Sequence, residues 1–126
     1  MRANNRISKE TLNNSGNQMI GDHYNEQSQK LKYKTEEFLK AEYKWVEERT
    51  KAINSLIEEC KETEDDTRTE LLNLKRDNED SIAILSSLEN MLKNRLTTDS
   101  ISRFAELIQG YNNFSDSITR DLEKLF

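Results

Sequence analysis

The stretch TTDSISRFAELIQGYNNFSDSITRDLEKLF, residues 97–126, carries the strongest structural pattern in the chain. It opens on Thr97-Thr98-Asp99-Ser100, four side chains able to accept hydrogen bonds from the free amides of a first helical turn. Beyond them Ile101, Phe104, Ile108, Tyr111, Ser115, Ile118, Leu122 and Leu125 recur three and four residues apart, the spacing that lines one face of an α-helix. Only Ser115 interrupts the apolar row. Gly110 lies off it, where glycine costs about 1 kcal/mol in helix propensity without forcing a bend. A helix entered by a chain reversal is the expectation.

The residues before that reversal carry a heptad. One row is Ile53, Cys60, Thr67, Leu74, Ser81 and Leu88; the other is Ile57, Glu64, Leu71, Asn78, Leu85 and Leu92. The rows stand four and three residues apart, as a coiled-coil seam requires. Glu64 with Thr67, and Asn78 with Ser81, place polar groups on adjacent turns, so the seam is strong at its ends and weak in the middle. A break at Thr63 or Asp66, both competent caps, would divide the helix. With no proline in the chain and no glycine between Gly21 and Gly110, a continuous helix over 24–96 is favoured. The last helix then folds back antiparallel on 71–96. There Leu71, Leu72, Leu74, Ile82, Leu85 and Leu88 form part of an apolar surface too wide for a single neighbour.

Further toward the N-terminus Tyr24, Leu31, Phe38 and Trp45 recur every seventh residue, with Leu39, Val46 and Ile53 in the adjacent row. Two readings of this stripe are open: the core of an intramolecular third helix, or a surface that meets a partner, where aromatic anchors commonly carry the binding energy. The last helix is already committed to the hairpin, so Tyr24, Leu31, Phe38, Trp45 and Val46 are taken as the candidate partner-binding residues. Residues 1–21 are polar and asparagine-rich, with Ile7 and Leu12 as isolated apolar side chains, and are read as a flexible tail. The helical domain spans 22–126, with Asp22 offering a cap at its start.

Composition narrows the function classes. Of the 126 residues 33% are apolar and 34% charged, so the core is thin and a deep-pocketed enzyme is disfavoured. The net charge is -5, and residues 58–70 account for it with seven acids against Lys61 and Arg68. Elsewhere the charges balance and interleave, which does not build the basic face that nucleic acid requires. The acidic run lacks the glycine-bearing loop of a calcium site and reads as a solvated face. The single Cys60 and the single His23 cannot form a metal cluster; Cys60 reads as a small core residue and His23 as a cap or a solvated side chain.

No catalytic, cofactor or metal residue emerges, and no small-molecule substrate or membrane span is expected. One cysteine and the absence of a secretory leader point to an intracellular location, cytoplasmic or nuclear. The run Leu88-Glu89-Asn90-Met91-Leu92-Lys93-Asn94 followed by Phe104-Ala105-Glu106-Leu107-Ile108 resembles, over about twenty residues, the end of the coiled coil in tripartite-motif proteins. That resemblance implies an antiparallel dimerisation rod.

The expected architecture is all-α: a long helix followed by an antiparallel helical hairpin, of coiled-coil or three-helix-bundle type. The expected role is protein–protein interaction, as a structural or adaptor subunit assembling with itself or another protein through its helices. The alternative is a closed three-helix bundle that sequesters a partner helix.

Overall fold

The computed structural model describes residues 7–17, 24–93 and 98–125. The described residues form four helices: α1 (Lys9–Asn17), α2 (Tyr24–Glu59), α3 (Asp65–Lys93) and α4 (Thr98–Glu123). The fold is all-α, as the heptad pattern implies.

Continuity through 24–96 does not hold. The helix stops at Glu59 and restarts at Asp65, and α3 returns antiparallel along α2: Tyr43 meets Ser86 and Glu89, while Arg49 meets Asn78 and Ser81. The turn is held locally. The amide of Glu64 donates to the Lys61 carbonyl at 2.9 Å, and Arg68 caps the end of α2 by donating from Nη2 to the Cys60 carbonyl at 3.1 Å.

Electrostatics favours the restart, because Asp65 and Asp66 fall in the first turn of α3 and complement its dipole. Packing favours it more. Folding back removes Glu64 from the seam and brings Ile53 together with Leu71, Leu74, Ile118 and Leu122 in one cluster. Cys60 closes the end of α2, half-buried beside that cluster rather than on a continuing seam.

α3 keeps the seam that its sequence spells out, with Leu71, Leu74, Asn78, Ser81, Leu85, Leu88 and Leu92 all buried. α4 does the same from Ile101 to Leu122, and Leu125 is half-buried. It runs antiparallel to α3 and parallel to α2. The second neighbour that the wide α3 surface demands is α2 of the same chain. Leu72 and Ile82 stay largely outside, 50% and 38% exposed.

The reading of 1–21 as a flexible tail is corrected for residues 7–17. Ile7 and Leu12 are buried in the larger core cluster, beside Leu31, Phe38, Ala105 and Ile108. Ser8 caps α1, its Oγ accepting the Thr11 amide at 3.1 Å, while the Leu12 amide donates to the Ser8 carbonyl at 3.1 Å. Ile7 before the cap and Leu12 in the first turn are the two apolar positions of a hydrophobic staple. The Asp22 cap and the side chain of His23 lie outside the described residues.

Candidate functional site

Two features stand out once the bundle is assembled: a polar layer through its middle, and a groove between α2 and α4 that α1 occupies.

The polar layer centres on Arg49, which is 4% exposed. Its Nε donates to Asn78 Oδ1, and its Nη1 donates to the Ser115 carbonyl at 3.0 Å, to Ser115 Oγ at 2.8 Å and to Thr119 Oγ1 at 3.2 Å. Nη2 reaches Ser81 Oγ at 3.4 Å. Asn78 in turn donates from Nδ2 to Thr50 Oγ1 at 2.6 Å and to the Val46 carbonyl at 3.3 Å. The polar seam positions of α3 and α4 are thus the acceptors of one guanidinium from α2. A buried charge is tolerated only when its donors are met, and the planar fork of arginine meets several at fixed angles. Since the acceptors come from two other helices, sliding any helix by one turn would strand them, so the layer fixes register. Two turns earlier on α2 the buried Glu42 accepts a hydrogen bond from Tyr111 Oη at 2.9 Å.

The groove is built from the opposite flank of α4. Ala105, Ile108 and Asn112 fall three and four residues apart on one face of that helix. Ala105 projects nothing beyond its β-carbon, which lets a neighbouring helix come close. α1 lies there antiparallel to α4: Asn112 Nδ2 donates to the Ile7 carbonyl at 3.0 Å, and the Lys9 ammonium pairs with Glu106. Leu12 is fully buried and Ile7 is 6% exposed. Asn112 itself is buried, and its Oδ1 has no hydrogen-bond partner among the described residues.

Of the candidate partner-binding residues, Leu31, Phe38 and Val46 are core: 4%, 0% and 1% exposed within the single chain. Phe38 stacks edge-on against Tyr111, ring centroids 6.3 Å apart at 87°. The assignment of these three to a partner surface is corrected, because α3, α4 and α1 already cover the row that had no visible neighbour in the sequence. Trp45 is half-buried, and the side chain of Tyr24 lies outside the described residues. The exposed aromatic of α2 is instead Tyr33, at 66%.

Sequence reasoning passed over Arg49 and α1. Arg49 reads as one of many surface cations, since nothing local announces the acceptors 29 and 66 residues away. α1 did have a local signal in Ile7-Ser8 followed by Thr11-Leu12, a cap flanked by its staple.

Tyr43 marks the α2–α3 side, where its hydroxyl donates to Glu89 Oε2 at 2.9 Å and lies 3.2 Å from Ser86 Oγ. Burial raises its pKa above the usual phenol value, the hydroxyl of Ser86 opposes the rise, and the charge and hydrogen bond of Glu89 reinforce it. No helix among the described residues is long and apolar enough to cross a membrane. No protein-family model, curated protein or solved structure matches this chain.

Proposed function

We propose that this chain is a non-enzymatic, intracellular protein-binding module of the closed-bundle type, an adaptor or regulator that takes up a helix of a partner protein. The observation that carries the reading is the seat of α1. A three-helix frame, keyed by the Arg49 layer, accepts a separate amphipathic segment in its α2/α4 groove through two buried apolar anchors, an ion pair and a side chain-to-carbonyl hydrogen bond. Helix-in-groove recognition uses the same elements between proteins. The folding back of α3 on α2 favours this reading over a self-assembling rod, because the faces that a rod would offer to a second copy are spent inside one chain.

The test is light scattering coupled to size exclusion, followed by photo-crosslinking inside cells from a reactive side chain placed at the half-buried Gln109. A compact monomer of 14.8 kDa crosslinked to one protein species is the expected result. An elongated dimer without such a crosslink would return the chain to the rod class.

A further inference from the structure

We propose that α1 is an internal occupant of its own protein's binding site, and that the seat it fills takes an amphipathic helix of a partner protein in the same antiparallel register on α4. The proposal rests on the protein-binding reading above and specifies its ligand and its regulation.

α1 is a weak tenant. It has nine residues, below the roughly 12–15 at which an isolated helix begins to persist in water. Its last five, Asn13-Asn14-Ser15-Gly16-Asn17, are poor helix formers, and no basic residue complements its C-terminal turn. The Lys9–Glu106 pair is open to solvent, with side chains 39% and 62% exposed, so it contributes direction more than strength. Attachment therefore rests on Ile7 and Leu12.

The groove also has capacity that α1 does not use. Asn112 is 5% exposed, it donates one of its two amide hydrogens to the Ile7 carbonyl, and its Oδ1 meets no donor among the described residues. A buried acceptor left in that state is costly, and a ligand that supplies a donor recovers the loss.

These contacts define the partner. It presents two apolar anchors five residues apart at the start of a helix, a cation two residues after the first anchor to face Glu106, and a hydroxyl or amide donor placed to reach Asn112 Oδ1. A helix meeting those terms, and built of better helix formers than 13–17, displaces α1. A donor matched to Asn112 is expected to tighten binding about tenfold. Until such a partner arrives, α1 shields Ala105 and Ile108 and sets a threshold for binding, because a tethered competitor acts at an effective concentration of about millimolar.

The experiment uses the full chain and a fluorescein-labelled synthetic peptide of residues 7–17, followed by anisotropy. Leu12→Asp in the chain evicts α1; the peptide is then expected to bind this variant about tenfold or more tighter than it binds the wild type. The peptide carrying Leu12→Asp is expected not to bind, and one carrying Asn13→Ala, Asn14→Ala, Ser15→Ala and Gly16→Ala is expected to bind more tightly than the native sequence. Circular dichroism first establishes that the Leu12→Asp chain keeps α2, α3 and α4, with no more helix lost than the nine residues of α1. A folded variant that ignores the peptide, or equal binding to variant and wild type, overturns the proposal.

Should Leu12→Asp unfold the chain, charge exchange replaces it: Glu106→Lys weakens the resident α1 and the native peptide alike through Lys9, so the Lys9→Glu peptide is expected to bind this variant about fivefold more tightly than the native peptide does. Absence of that preference also overturns the proposal. A concentration-dependent dimer in which α1 is exchanged between copies would assign the seat to self-association and overturn it as well. Peptide failure with a compact monomer removes this inference alone, whereas an elongated dimer removes the reading beneath it.

Discussion

Replacing Arg49 with alanine tests the central layer most directly. The substitution removes two methylene groups from a side chain that is 4% exposed, worth about 1.5 kcal/mol at roughly 0.8 kcal/mol each. It also leaves Asn78 Oδ1 without its donor, at a cost of about 1–3 kcal/mol. The hydroxyls of Ser81, Ser115 and Thr119 can rotate toward other acceptors, and Ser81 Oγ already donates to the Asn78 carbonyl at 2.6 Å, so they add little. The expected loss is about 2.5–4.5 kcal/mol, a large part of the roughly 5–15 kcal/mol that stabilises a domain.

Arg49→Met keeps the apolar volume and strands only the acceptor, so about 1–3 kcal/mol is expected. Combining Arg49→Met with Asn78→Leu and Ser115→Ala removes donors and acceptors together, and should return stability to wild type or above it. Urea denaturation followed by circular dichroism measures all three. An Arg49→Ala loss below about 1 kcal/mol, or a triple variant as unstable as the alanine variant, would show that the layer does not hold the three helices together.

Phe38→Ala should cost about 3–5 kcal/mol because the ring is fully enclosed, whereas Tyr33→Ala, at 66% exposure, should stay within about 0.5 kcal/mol; the pair, compared by thermal melting, checks which aromatic faces inward. Gly110→Ala should raise stability by about 0.8–1 kcal/mol, since the added β-carbon meets nothing within 4 Å on an exposed helical face. Tyr43 holds its proton to higher pH in the folded chain than in the unfolded one, where the phenol titrates near 10. The stability this confers is complete below pH 10 and lost as pH rises through the folded value, so above pH 10 wild type should lose stability more steeply than Tyr43→Phe; tyrosinate absorbance of the native protein should show one phenol titrating late.

Local periodicity carried α3 and α4. The buried set on α3 is the heptad read from Leu71 to Leu92, and α4 buries the row from Ile101 to Leu122, with Gly110 outside it as its position implied. These faces are legible because an apolar stripe at helical spacing depends only on neighbours three and four residues away. What covers a stripe is not written beside it. Phe38 and Val46 showed an apolar face with two possible covers, and the difference between core and interface lay in Tyr111 and α3, which sequence spacing does not bring near.

The reversal at residues 60–64 belongs to the same class. No glycine or proline marks it, and a helix could run through; what selects the break is the burial gained when Ile53, Leu71, Leu74, Ile118 and Leu122 meet, together with the polar groups of Asn78, Ser81 and Ser115 finding one guanidinium. Sequence alone determined that this protein is helical and which faces of its last two helices are buried, because those are short-range properties of the chain. Tertiary structure decided where the chain turns, that Arg49 is a core residue, and that α1 has a seat, because each depends on contacts between residues tens of positions apart.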